Sequence, residues 1–250
     1  MSTKSLFIIT HKKIDNPIPR NHKILFVGAY NKEVPNGYLS DDFSGGISNL
    51  NPYFCELTGL YYIWKNCNSD IISLEHYRRL FIKTKKYFFH FPFLGLNDID
   101  KLMINYDIVV PKRYLVNKTG KEIYEHDHII TDLLLTRDII KEYYSSYLEA
   151  FDEMLNSKEN YYYNMFITKK EILNDYCSFM FDVLFKLQNE IDYQSRDQYQ
   201  ARVFGFISER LFTVYLFKHK ELKIKEQYIE FLDKNIIKTQ IRRIKDNLKK

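Results

Sequence analysis

The densest run of chemically capable side chains in the sequence is Leu74-Glu75-His76-Tyr77-Arg78-Arg79. Neighbouring guanidinium groups bind a diphosphate through bidentate, charge-assisted hydrogen bonds and neutralise it as it departs, with no metal required. The residues before them, from Asp70 to Glu75, read as a strand. If extension continues, period-two alternation places His76 and Arg78 on one face and Tyr77 and Arg79 on the other. In an open α/β sheet ligands settle beyond the carboxyl ends of the strands, so His76, Arg78 and Arg79 are candidates for holding a diphosphate. The plain alternative is a surface ion-pair cluster just past a strand.

Two other clusters carry potential ligands or bases. Asp98-Ile99-Asp100 has the spacing of paired carboxylates that hold the divalent ion of a sugar nucleotide, but no convincing strand precedes it. Asn97 instead reads as an N-cap, with acids in the first helical turn where they favour the dipole. Glu125-His126-Asp127-His128, with Asp132 nearby, offers Asp127, His128 and Asp132 as general bases, against the alternative of an ordinary polar loop before a helix. Dinucleotide, phosphate-loop, zincin and hydrolase-elbow signatures are absent.

The elements that must position these groups alternate strand and helix. Strands are expected over Lys4 to Thr10, over Ile24 to Val27 ending at Gly28, over Asp70 to Glu75 and over Asp107 to Pro111. Asn51 as N-cap and Pro52 as first residue open a helix with the stripe Leu57, Leu60, Tyr61, Trp64. The second half is mainly helical, over Asp138 to Leu155, over Thr168 to Asn189 behind a Thr168–Glu171 capping box, and over Gln200 to Phe217; Tyr161 to Ile167 reads as one more strand. This is an α/β domain with a helical C-terminal part.

At 250 residues, 45% apolar and 28% charged, the chain is long enough for a sizeable core and too ordinary for a disordered or fibrous protein. Its net charge of +5 is local: residues 218–250 hold eleven Lys or Arg against five acids, and the rest is near neutral. We therefore divide the chain into a body, 1–217, and a basic amphipathic helical tail, 218–250, suited to an anionic membrane surface or to packing on the body. No basic groove is legible, and nucleic acid is not an expected partner. Cys55, Cys67 and Cys177 are odd in number and far apart, as in a cytosolic protein with reduced thiols. The apolar run Leu6 to Ile9 is too short for a signal peptide, and no stretch approaches the ~20 residues of a membrane span.

A series of blocks then resembles a known family. They are Val27-Gly28-Ala29; Ile47-Ser48 with Asn51; Cys55-Glu56-Leu57-Thr58-Gly59-Leu60-Tyr61 through Trp64-Lys65-Asn66; His76-Tyr77-Arg78-Arg79; Tyr106-Asp107-Ile108 with Pro111-Lys112; Asn164-Met165-Phe166-Ile167; and Gln200 with Arg202 through Leu211. In this order they are similar to the bacterial exopolysaccharide-biosynthesis domain of capsular and O-antigen gene clusters, a domain of unknown function regarded as glycosyltransferase-like. The resemblance implies a glycosyltransferase fold of type A, in which a Rossmann-like half binds the nucleotide. It implies a nucleotide-sugar donor, such as a UDP-hexose or UDP-galactofuranose, and a lipid-linked glycan acceptor in capsule, exopolysaccharide or O-antigen synthesis. Mn²⁺ or Mg²⁺ serves many enzymes of that fold, but no strand-borne Asp-x-Asp is present here. The expected location is cytoplasmic, peripheral at the inner membrane face.

Glycosyl transfer builds positive charge on the sugar and negative charge on the departing diphosphate, and it needs a base for the acceptor hydroxyl. Thr10, Gly28, His76, Arg78 and Arg79 are assigned to the donor, and Asp127, His128, Asp132 and Glu209 are the base candidates. Asn51, Glu56, Asn164 and Arg202 are assigned to the acceptor or sugar. The other reading is a non-catalytic carbohydrate-binding or assembly subunit.

Overall fold

The structure, a computed structural model, describes residues 2–86 and 91–232. In chain order its elements are β1 Lys4–Thr10, β2 His22–Phe26, β3 Leu39–Ser40, α1 Asn51–Phe54, α2 Leu57–Asn66, β4 Ile71–His76, β5 Arg79–Ile82, α3 Leu96–Asn105, β6 Ile108–Pro111, β7 Tyr114–Leu115, α4 Gly120–Asp127, α5 Ile130–Tyr143, α6 Leu148–Asn156, β8 Glu159–Asn160, β9 Phe166–Lys169, α7 Lys170–Glu190, α8 Val203–Lys218 and β10 Ile224–Phe231.

β1 lies between β2 and β4, parallel to both, and β3 continues the parallel set outward. A strand flanked on both edges and covered on both faces needs an apolar run, here Leu6 to Ile9, and β1 is buried from Ser5 to Thr10. Beyond β4 the sheet turns mixed, in the order β5, β10, β6, β9, and β9 pairs back onto β4 antiparallel from Ile71 to Leu74. The pairings thus form a closed circuit at the half of the sheet away from β3. The main core lies between the sheet and α2, α7 and α8, where aromatic side chains fill the space: Phe54 stacks on Phe204 at 4.4 Å and Trp64 on Phe181 at 5.6 Å. Gly59 lets α2 approach the sheet, since a Cβ there would stand 2.6 Å from Val27 Cγ1 and 3.1 Å from Ile9 Cγ2.

Several sequence expectations change. The strand expected to run on through Arg78 instead ends at His76, and Tyr77-Arg78 form a tight turn that pairs His76 with Arg79 in a hairpin. The basic helix expected over 218–250 is replaced by strand β10 across Ile224–Phe231, held between β5 and β6, so the sheet does not end at residue 217. The β-branched and aromatic residues Ile224, Tyr228, Ile229 and Phe231 fit a strand once a sheet edge is offered. Residues 233–250 of the expected helix lie outside the described residues. The expected 138–155 helix divides into α5 and α6, and Tyr161 to Met165 form a turn ahead of the short β9. Thr168 lies within β9 and donates to the Asp107 carbonyl, so no capping box forms there; one forms at Thr119 and Glu122, opening α4.

Candidate functional site

A cleft of two connected lobes opens at the carboxyl ends of β1 and β4. One lobe, about 470 Å³, is walled by Ile9, Thr10, His11, Val27, Asn51, Tyr77 and Gln198, where parallel strands end against α1. The other, about 580 Å³, is walled by residues from α4, α8 and the Tyr162-Tyr163 turn. Cys55, Glu56, His76, Arg78 and Arg202 border both, forming a waist between the lobes.

The waist is built by unusual backbone. The helix begun at Asn51 is interrupted after one turn: Cys55 takes a positive φ of 51°, and α2 resumes at Leu57. Asn51 is not the N-cap; its amide donates to the Cys55 carbonyl at 2.7 Å and to Thr58 Oγ1 at 3.0 Å, bracing the interruption from inside. Across the cleft Tyr163 and Asn164 also have positive φ, 82° and 45°. Non-glycine residues in this region are uncommon and collect where function requires a particular side-chain placement, and here three of them flank one cavity.

The electrostatics follow from this crowding. Glu56 accepts from Asn164 Nδ2 at 3.1 Å, and burial together with the charge of Glu209 raises its pKa above the ordinary glutamate value. Glu209 accepts from the Tyr163 amide at 3.1 Å and lies 3.3 Å from Arg210 Nη1. Arg202 donates its Nε to Cys55 Sγ at 3.1 Å, while burial pushes the Cys55 thiol up to about 11, so the sulfur stays protonated. His76 is driven down to about 3 by burial and by Arg79 and Arg78, and His128 to about 4 by burial and Arg210; both are neutral imidazoles. His128 stacks on Phe206 at 3.9 Å and faces the half-exposed Tyr199 at 5.7 Å, a flat aromatic wall. Arg79 packs over the Tyr163 ring at 4.3 Å.

Of the residues chosen from sequence, Thr10 and Asn51 line the smaller lobe, His76, Arg78, Glu56 and Arg202 the waist, and Arg79, Asp127, His128 and Glu209 the larger lobe. Three stand elsewhere. Asp132 is buried in a bidentate pair with Arg196, at 2.6 and 2.9 Å, and lines neither lobe. Gly28 lies behind the cleft wall: its amide donates to Asp41 and its φ is 67°, and a Cβ there would run into the Asn51 amide. Asn164 is fully buried; besides Glu56 it donates to Ser208 Oγ at 2.8 Å and accepts from Tyr176, so it holds Glu56 and lines neither lobe. Asp127 reaches the rim paired with His126 at 2.6 Å. Residues that sequence reading left out include His11, Tyr163, Tyr199 and Arg210. Arg210 carried a signal, since it interrupts the apolar face of α8 beside Glu209 and is buried over the Tyr124 ring at 4.9 Å.

Metal-ligand chemistry does not fit these side chains. Among the described residues no three His, Cys, Asp or Glu side chains gather as a metal site, and Asp98 and Asp100 face Lys83 and Lys4 at 2.8 Å each. Asp98 also accepts from the Gly95 amide, making Gly95, not Asn97, the N-cap of α3. Positive charge at the cleft comes from Arg78, Arg79, Arg202, Arg210 and Lys118.

Fold and cleft together define an α/β protein with a ligand cleft at the carboxyl edge of its parallel strands, lined by arginines and paired carboxylates. The chain belongs to the family described as Domain of unknown function (DUF4422), whose model matches residues 5–221. It is similar to a solved structure titled "WbbM bifunctional glycosytransferase apo structure", with 27% identity and a TM-score of 0.83 over 93% of this chain. The chain spans 46% of that protein's length. No curated protein matches. No helix among the described residues is long and apolar enough to cross a membrane.

Proposed function

We propose that this chain is a glycosyltransferase that moves a hexose or galactofuranose from a nucleotide-sugar donor, UDP-linked, to a lipid-linked glycan in capsule, exopolysaccharide or O-antigen synthesis. The observation that carries the reading is the waist: Arg78 and Arg202 stand between two lobes, with the half-buried carboxylate of Glu56 beside them. The nucleoside occupies the smaller lobe at the ends of β1 and β4, the place where open α/β sheets bind nucleotides. Its diphosphate lies at the waist, where Arg78 and Arg202 offset the charge that develops as the bond to the sugar breaks. Sugar and acceptor share the larger lobe, against His128, Phe206 and Tyr199. Glu56 and Glu209 supply the base: like charges held close favour a proton on one of them, and the raised proton affinity of Glu56 suits it to take one from an acceptor hydroxyl. The fold proposed is a variant of glycosyltransferase type A, and the basic residues beyond β10 dock the chain peripherally on an anionic inner membrane face.

The test is donor-dependent release of nucleotide by the purified chain. Arg78→Ala is expected to lower kcat/KM roughly 10- to 100-fold, the value of one charge-assisted hydrogen bond, with melting temperature unchanged. A wild-type chain that binds glycans but no nucleotide sugar across a full donor panel refutes the reading.

A further inference from the structure

A further cavity, of about 550 Å³, opens at the other end of the parallel strands from the cleft and shares no lining residue with it. Ser5 and Phe7 of β1, Lys23 and Ile24 of β2 and Leu39 of β3 form one side. The last turn of α2 and the segment after it, with Tyr62, Asn68 and Ser69, form the other. Thr10, at the far end of β1, lines the smaller lobe of the cleft, so the extended chain from Ser5 to Thr10, roughly 17 Å, separates the two sites. The volume falls within the ~300–1,000 Å³ of small-molecule sites.

The lining selects among ligand classes. Among the described residues it has no carboxylate and no arginine, and Lys23 is its one ammonium, which suits neither a metal ion nor a nucleoside diphosphate. His22 also borders the cavity, but its ring is committed to Glu75 at 2.9 Å. The carbonyl end of α2 meets the cavity, and its partial negative charge disfavours an anion. A purely apolar ligand would take water from hydroxyl, amide and ammonium groups without replacing its bonds. These exclusions leave a neutral ligand that carries both hydroxyls and C–H surface. Lys23 Nζ donates to Ser5 Oγ at 3.0 Å, and Ser5 Oγ lies 2.8 Å from Ser69 Oγ, a chain of hydroxyls with ammonium hydrogens to spare. Asn68 is exposed and offers an amide that no protein group takes up among the described residues. Tyr62 is half-buried with its ring held edge-on by Phe43 at 5.6 Å, and Leu39 is 37% exposed, so apolar surface is available to the C–H face of a sugar.

We infer that this cavity is a second saccharide-binding site, remote from the cleft, that holds part of a neutral glycan. The site stands on its own lining and goes beyond the reaction proposed for the cleft. Under that reaction, a glycan anchored here raises the effective concentration of its free end near the cleft.

The experiment titrates the full chain by calorimetry with neutral di- and trisaccharides of glucose, galactose and N-acetylglucosamine, with a glucuronic acid disaccharide as the anionic counterpart, and with a panel of nucleotide sugars. At least one neutral saccharide is expected to bind. The variant Lys23→Met/Tyr62→Phe/Asn68→Ala is expected to bind it roughly tenfold more weakly, and Asn68→Ala alone, at an exposed position, roughly threefold more weakly. Arg78→Ala, at the cleft, is expected to bind it as wild type does. No binding of any neutral saccharide, or tighter binding of the glucuronic acid disaccharide, overturns the inference. Loss of the saccharide in Arg78→Ala but not in the triple variant places the glycan in the cleft; the inference then falls and the proposed function stands. Failure of wild type to bind any nucleotide sugar overturns the proposed function, and saccharide binding lost in the triple variant still upholds this site.

Discussion

Asp132 separates a chemical role from a structural one. From sequence it was a base candidate; in the fold its carboxylate, 4% exposed, meets both terminal nitrogens of Arg196, itself 15% exposed. The pair ties α5 to the segment 191–199 that delivers Gln198 and Tyr199 to the cleft. Asp132→Ala leaves a guanidinium buried without its partner, and breaking a buried pair from one side costs about 3–5 kcal/mol. For a chain of this size each kcal/mol moves the melting temperature by about 2–4 °C, so the expected fall is roughly 6–20 °C. The double variant Asp132→Leu/Arg196→Met removes both charges and is expected to recover most of the loss, because apolar groups of similar volume replace a buried pair at little cost. Differential scanning fluorimetry on the three chains reads the stability, and nucleotide release below the lowest melting temperature reads the chemistry, which is expected to persist in both variants. An Asp132→Ala chain that melts like wild type yet has lost nucleotide release refutes this reasoning and returns Asp132 to the catalytic set.

Truncation after residue 217 removes β10 from between β5 and β6 and is expected to abolish cooperative unfolding by circular dichroism, whereas a chain ending at residue 232 keeps it; a folded 217-residue product contradicts the sheet order. Glu56, with its pKa raised by burial and Glu209, contributes stability that is fully present below the ordinary glutamate value of 4.5 and lost as pH rises through the folded value. Glu56→Gln is therefore expected to gain melting temperature relative to wild type as pH rises, while losing nucleotide release; a pH-independent difference in melting argues against a perturbed carboxyl. His76, depressed to about 3, contributes stability that is present above its ordinary 6.5 and lost as pH falls toward the folded value. His76→Gln should accordingly lose less melting temperature than wild type on acidification, and a wild-type imidazole titrating by NMR near its ordinary value contradicts the burial argument.

Sequence and tertiary structure divide the information along physical lines. Local signals determined the parallel strands: the apolar run Leu6 to Ile9 and the apolar Ile71, Ile72 and Leu74 are what a doubly covered strand requires, and they place the carboxyl edge at which the cleft opens. They also brought Arg78 and Arg79 into consideration, and the family resemblance added Arg202, Glu56 and Glu209; all five line that cleft. Capping signals were less decisive, because Thr-x-x-Glu at 168 and at 119 reads alike, and only the demand of β6 and β4 for a partner strand makes Thr168 extended. The mixed polar and apolar sequence of residues 224–231 is equally ambiguous alone; a vacant place between β5 and β6 makes it a strand.

What only the tertiary structure decided is the state of each polar group, since that depends on neighbours far away in sequence. Asp132 is paired by Arg196 across 64 residues and Asn164 by Glu56 across 108, which takes the first out of the cleft lining and makes the second a support for Glu56. His76 looks like a phosphate ligand in a run with two arginines. Burial, with the charges of Arg79 and Arg78 acting in the same direction, makes it neutral against the opposing pull of the Tyr163-Asn164 backbone, and one ring nitrogen is left unpaired.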